Sequence, residues 1–380
     1  MEKPILLVTI AVLFLFLLIA IVVNTFTDFS FREEEKVSRG PHFYHCPTYT
    51  GGKIMDELYR EMNFRLTQDP KRAAVYLPCG YTWVENELRQ YNPPRGQIIL
   101  AIDGCDRIVA KNGLWKVLSE EYGRDYASEL VPRSYVTSSP IDMDYLQEEY
   151  DPRKIYIMKK NVQRQQGLKI TKKLSEMNSA YQAGYAVIQE YLMNPLLFDK
   201  RKFDIRIFLL VIQKGNQQQY YRHTGGRCHY TSQDFDLGNL STKIHIPTGY
   251  DEDKEFKNSH PETLKELQQY INRYGGGGGG DYLFTRIDKL LRECCVAFSK
   301  VLGNESKFKK QGTVQCQLFG LDILSDDTLQ PVLIEINKGP EMTWSSEAER
   351  QYKKKIAEDM FNLLGYTKSD VNEFISILTI

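Results

Sequence analysis

Between Phe319 and Trp344, three oxygen-bearing side chains, Asp322, Glu335 and Asn337, sit inside two apolar runs. Leu318–Leu324 and Val332–Ile336 are rich in strand formers and are joined by a polar turn, which predicts neighbouring strands of one sheet. On the second run, alternation puts Glu335 and Asn337 on one face and Ile334 and Ile336 on the other. A carboxylate within an apolar strand, as at Asp322, is costly to desolvate unless a cation or a donor satisfies it. Hard cations such as Mg2+ take carboxylate and amide oxygens, so Asp322, Glu335 and Asn337 form a candidate ligand set. A hairpin whose polar face is simply wet explains the same pattern, and these residues alone leave both readings open.

A second charged face lies in Lys202-Phe203-Asp204-Ile205-Arg206-Ile207-Phe208-Leu209. Phe203, Ile205, Ile207 and Leu209 face one way, and Lys202, Asp204 and Arg206 the other. Same-face neighbours stand roughly 7 Å apart, so the charges can compensate one another on an exposed sheet. Alternatively Lys202 and Arg206 are donors to phosphate or carboxylate, arginine being suited to bidentate contact. Ile155–Lys159 supplies another strand, with Lys159 on the face of Ile155 and Ile157; a lysine so placed can equally have its head at the surface.

Around these residues, helical and strand patterns alternate: helices at 113–122, 145–150, 172–182, 288–301 and 347–364, strands at 98–102, 155–159, 186–191 and 202–212. This predicts an α/β architecture. A chain of 380 residues holds two or three subdomains. With 49 basic and 49 acidic residues, no global field points to nucleic acid. Seven cysteines without a Cys-x-x-Cys pair predict free thiols and a reducing, cytosol-facing environment. Ile5–Val23 is strongly apolar apart from Thr9; as a helix it spans roughly 28 Å, the depth of a bilayer core. With no small-x-small cleavage site, it is expected to be an uncleaved N-terminal transmembrane helix within residues 1–30. A charged stalk occupies 31–40, where Arg32, Lys36 and Arg39 favour a cytosolic body. The Gly275–Gly280 run is expected to be a flexible, disordered surface insert; no Gly-Lys-Ser/Thr follows it, so it is no phosphate loop.

Several short motifs carry a resemblance in order: Gln189-Glu190-Tyr191-Leu192, Asn194-Pro195-Leu196-Leu197, Lys202-Phe203-Asp204-Ile205-Arg206, Phe319-Gly320-Leu321-Asp322 and Ile334-Glu335-Ile336-Asn337. The chain from about Ile98 to Tyr366 resembles the tubulin tyrosine ligase and ligase-like family, which implies an ATP-grasp fold with mixed sheets. Expected domains are an N-terminal α/β domain at 41–153, a central ATP-grasp domain at 154–214 and a C-terminal one at 215–380. The resemblance implies that ATP turns a carboxylate into an acyl phosphate, which an amine then attacks to give a peptide or isopeptide bond. It places Lys111 and Lys159 on the ATP phosphates, Gln189, Glu190 and Tyr191 beside adenine, and Lys202 and Asp204 near ribose, phosphates or amino acid. Arg206 and Arg222 would hold the acyl phosphate or a substrate carboxylate, and Asp322, Glu335 and Asn337 would carry Mg2+. Such chemistry is mostly charge positioning.

The chain departs from the family pattern at the phosphate loop, where Arg164-Gln165-Gln166-Gly167 keeps one glycine; close backbone approach is possible at Gly167, and Arg164 or Gln165 can substitute side-chain donors. His245-Ile246-Pro247-Thr248 stands where the family has His-Leu-Thr-Asn. The expected function is therefore an ATP- and Mg2+-dependent amino-acid ligase acting on a protein acceptor, with tubulin implied by resemblance and glutamate a candidate free amino acid. The alternatives are a membrane-tethered nucleotide-binding pseudoenzyme and a ligase for a non-tubulin protein.

Overall fold

The computed structural model describes residues 41–380 apart from 46–52, 81–83, 163–166, 248–255, 257–258, 275–277 and 345–346. The expected anchor and stalk lie outside the described residues, as do Arg164, Gln165 and Thr248. Among the described residues no helix is long and apolar enough to cross a membrane.

Strands β1 (His42–His45), β2 (Arg65–Leu66), β3 (Val75–Leu77) and β4 (Ile98–Ile99) pair in parallel. The next four, β5 (Ser134–Val136), β6 (Tyr156–Lys159), β7 (Leu168–Thr171) and β8 (Val187–Glu190), make a separate antiparallel sheet in the order β5-β8-β6-β7. The last six are β9 (Leu197–Phe198), β10 (Arg201–Lys214), β11 (Gln217–Tyr230), β12 (Val314–Ser325), β13 (Pro331–Asn337) and β14 (Phe374–Thr379). These six pair antiparallel and join the first four where β12 lies parallel beside β4, giving a mixed sheet of ten strands. Mixed sheets with helices on their faces agree with the α/β class expected.

The centre of the large sheet explains the apolar run Ile207–Ile212. Ile207, Leu209 and Val211 pack with Leu283, Ile287 and Leu291 of the helix Gly279–Ser299. Phe208, Leu210 and Ile212 pack on the other side with Ile356, Met360 and Phe361 of the helix Glu347–Leu363. A strand covered on both faces is apolar at nearly every position. Below Ile207 the alternation returns, because Lys202, Asp204 and Arg206 face the site described below.

Three expectations change. The sheets cut across the boundaries at 153 and 214: β5, from the first block, pairs with β8, while β10 pairs with β11 and β12 in the large sheet. Cross-strand pairing joins segments distant in sequence, so composition alone does not mark the division. Of the glycine run, Gly275–Gly277 lies outside the described residues, but Gly278 has φ +92° and Gly279 begins a helix. A side chain at Gly280 would lie 2.2 Å from the Gln268 carbonyl oxygen, so its absence lets two helices touch. Finally, Cys79 is disulfide-bonded, whereas Cys105, Cys228, Cys294, Cys295 and Cys316 are free and buried.

Candidate active site

The register of β10, β12 and β13 assembles the acidic half of the site. Arg206 lies opposite Asp322, and Asp322 opposite Glu335. The Arg206 guanidinium donates to both Asp322 oxygens, Nε to Oδ1 at 2.5 Å and the second nitrogen to Oδ2 at 3.1 Å. Asn337 Nδ2 donates to Asp322 Oδ2 at 3.2 Å, and Lys111 Nζ to Glu335 Oε1 at 2.6 Å. Burial raises the pKa of the Asp322 carboxyl against the pull of Arg206. For Arg206 itself burial works against the charge, yet Asp322 prevails and holds its pKa above the ordinary arginine value. Asp322, Glu335 and Asn337 thus come together as an oxygen set of the kind Mg2+ prefers, with Asp322 held by Arg206 and Asn337, and the residues fit the cation.

The basic half comes from three elements. Lys111 opens the helix Lys111–Tyr122, its backbone N–H donating to Asn161 Oδ1 at 3.1 Å. Lys159 ends β6 only 6% exposed, and its ammonium forms no hydrogen bond or ion pair among the described residues. Burial, aided by Lys111 and opposed by Glu335 and Asp322, brings its pKa down to about 8. Lys111, Lys159, Gln189 and Glu335 line one cleft with Trp115 and Ile336.

Lys202 is 2% exposed on β10 and donates to the Tyr191 hydroxyl at 2.7 Å. Burial, aided by Lys159 and opposed by Asp204, lowers its pKa to about 7. The same hydroxyl lies 2.8 Å from His245 Nδ1, and His245 Nε2 lies 2.5 Å from the Asn239 carbonyl oxygen. Asp204 pairs with His229 at 2.7 Å. Gln189 donates to Ser134 Oγ at 3.0 Å, and Glu190 accepts from Lys154 at 2.8 Å. The Glu190 carboxylate is therefore committed to Lys154 and Tyr135. Gly167, at φ +72°, accepts from the Lys160 backbone N–H, and a Cβ there would meet the Lys160 side chain at 2.8 Å.

Arg222 is not brought to the site. Its guanidinium binds Asp288 of the helix Gly279–Ser299, with Nε 2.6 Å from Oδ1 and the second nitrogen 3.2 Å from Oδ2. On β11 residues an odd number apart face opposite ways, so Arg222 and Arg227 point to different faces. Arg227 lies directly opposite Arg206 and bonds Glu349 Oε1 at 3.1 Å; Lys353 flanks that carboxylate at 2.8 Å. Arg227 and His229 are thus the site residues that sequence reasoning missed. Their signal was face parity on β11, readable once β10 and β11 are aligned.

The class this site defines is a mixed-sheet α/β protein in which basic side chains surround a carboxylate and amide triad. The chain belongs to the tubulin-tyrosine ligase family, whose model matches residues 89–373. It is similar to tubulin glycylase 3C of Tetrahymena thermophila, 28% identical over 185 residues that cover 47% of this chain and 17% of that protein. It is also similar to tubulin monoglutamylase TTLL4 of Mus musculus, 25% identical over 294 residues, 72% of this chain and 24% of that protein. With probable tubulin polyglutamylase TTLL9 of Rattus norvegicus it shares 27% identity over 184 residues, 47% of this chain and 38% of that protein. The matched regions span well under half the length of each of these relatives.

Proposed function

We propose that the chain is an ATP- and Mg2+-dependent ligase that activates a protein carboxylate as an acyl phosphate and joins it to the amine of a free amino acid. The observation that carries this reading is Lys159, a buried ammonium without a partner among the described residues, at the wall of a cleft that also holds Lys111 and Glu335. A buried, uncompensated cation is costly unless an anion completes it. A nucleotide phosphate supplies that anion, with Lys111 as a further donor. Arg206 and Arg227, side by side on neighbouring strands, are suited to the carboxylate and the acyl phosphate oxygens. When bound at Asp322, Glu335 and Asn337, Mg2+ supplies positive charge that offsets the triphosphate.

Tubulin is the acceptor supported by the names of the relatives, and glutamate or glycine the amino acid. The test is a screen of tubulin with MgATP and each amino acid, read by intact mass. A mass increase equal to one residue, with ADP release lost in Glu335→Gln, is the expected result. Unchanged turnover in Glu335→Gln overturns the site, and nucleotide binding without any product leaves a nucleotide-binding module.

Ile5–Val23 is proposed as a membrane anchor. Arg32, Lys36 and Arg39 favour a cytosolic body, whereas the Cys79 disulfide belongs with an oxidising compartment. Protease digestion of the body in intact vesicles supports the first placement, and protection the second.

A further inference from the structure

Formation of an amide from an acyl phosphate releases a proton, because an amino acid arrives as an ammonium and must lose charge to attack. Asp204 is tied to His229, and Glu335 and Asp322 to cations, so these carboxylates are engaged. A chain of hydrogen bonds begins at the face that carries Arg206. Lys202 on β10, Tyr191 just after β8 and His245 at the end of the helix Thr242–His245 are brought together from three separate segments.

The direction of this chain follows from its last link. A backbone carbonyl only accepts, so His245 Nε2, at 2.5 Å from Asn239 O, carries a hydrogen. Burial lowers the His245 pKa, aided by Lys202 and opposed by the Asn239 carbonyl and Asp236, which favours the neutral ring. With Nε2 protonated, the Nδ1 of a neutral ring is the acceptor. The Tyr191 hydroxyl therefore donates to Nδ1, and its oxygen accepts from Lys202 Nζ. Every hydrogen in the chain points from Lys202 toward His245. The groups facing it are Lys159 and Asp204 at Lys202, and Asp236 and the Phe235 ring at His245.

We propose that Lys202, Tyr191 and His245 form a proton relay that drains the proton the incoming ammonium sheds before it attacks the acyl phosphate. The proposal rests on the ligase reading above. The amine nitrogen forms a bond to the carbonyl carbon, and the bond from that carbon to the phosphate oxygen breaks, releasing phosphate. On going from ammonium to amide the nitrogen loses two protons: the first passes to neutral Lys202 Nζ before attack, and the second leaves with the released phosphate. Lys202 passes a proton to the Tyr191 oxygen as the hydroxyl proton moves to His245 Nδ1. Lys202 and Tyr191 end neutral and His245 ends as the imidazolium. Lys202 is the catalytic residue here; Tyr191 and His245 act through it.

Tyr191→Phe removes the hydroxyl and keeps the ring over Lys202. Hydroxylamine, largely uncharged at neutral pH, attacks an acyl phosphate without first shedding an ammonium proton. With tubulin and MgATP, Tyr191→Phe is expected to lower glutamate addition about 10²-fold more than it lowers hydroxamate formation from hydroxylamine. Equal loss of both products, or loss of neither, overturns the relay. A second measurement needs no substrate: imidazole nitrogen NMR of the full chain, assigned with His245→Gln. A neutral ring protonated at Nε2 is expected, with its Nδ1 signal shifted in Tyr191→Phe. A ring protonated at Nδ1, or charged at neutral pH, overturns the relay. Absence of both products in the parent chain, with the expected NMR tautomer, instead overturns tubulin ligation and leaves the hydrogen-bond chain standing.

Discussion

Arg206 and Asp322 face each other across β10 and β12 and share two hydrogen bonds, of 2.5 and 3.1 Å, so the strand register itself sets a bidentate ion pair in the middle of the large sheet. Removing one member of a partly buried pair leaves the other charge uncompensated. Arg206→Met is expected to cost about 3 kcal/mol or more in urea unfolding, while Arg206→Lys, which keeps the charge and loses the fork, costs less. Equal losses in the two variants reject the bidentate account.

Arg222 and Arg227 lie on one strand with opposite duties. Arg222→Met is expected to lower the thermal midpoint, because Asp288 loses its partner, while leaving the KM for amino acid and for ATP within about twofold. Arg227→Met is expected to raise the amino-acid KM by about tenfold or more, the loss of one charge-assisted contact. Steady-state kinetics on both variants decide it; a raised KM in Arg222→Met alone reverses the assignment.

Lys202 and Lys159 titrate in the folded chain near pH 7 and 8, well below the ordinary lysine value of 10.5. In between, the unfolded chain binds more protons than the folded one, so stability rises with pH from about 7 to about 10 and loses this contribution below about 7. Lys202→Met is therefore expected to be more stable than the parent at pH 6, with the gap closing toward pH 10. A gap that stays constant across urea titrations at several pH values rejects the lowered Lys202 pKa.

Gly104 has φ +85°, and a Cβ there would lie 2.0 Å from the Val301 carbonyl oxygen. Gly104→Ala is expected to cost about 2 kcal/mol or more, from the left-handed backbone and the clash together. The urea midpoint should fall at unchanged slope. A midpoint equal to the parent's shows that the connection after β4 shifts freely.

Much of the site was legible because it obeys a period of two. The alternation at Lys202–Leu209 and the facing runs at Asp322 and Glu335 are local patterns, and the strands form where those patterns lie. The partner of Asp322 was not legible, since nothing local says that Arg206 stands opposite it. Nothing local separates Arg222 from Arg227 either: the two differ only in face, and face depends on the pairing of β10 with β11 and on its register shift between Ile207 and Leu209. Tyr191, Lys202 and His245 each belonged to a recognised motif, yet their hydrogen bonds link segments whose approach only the fold decides. At Gly278–Gly280 low complexity suggests looseness, whereas Gly279 begins a helix and Gly280 serves helix contact.

The pairing of Lys111 with Glu335 has a consequence for how the chain is made. The two residues are 224 positions apart, and β4, which leads to Lys111, reaches the C-terminal strands only through β12. During synthesis Lys111, Lys159, Lys202 and Arg206 all leave the ribosome before Asp322, Glu335 and Asn337. A nascent chain therefore carries the cations of the site without their carboxylates until the last β-hairpin appears. Such long-range closure is slow, and it makes the arrival of β12 and β13 the step that turns a basic, half-built surface into a finished centre.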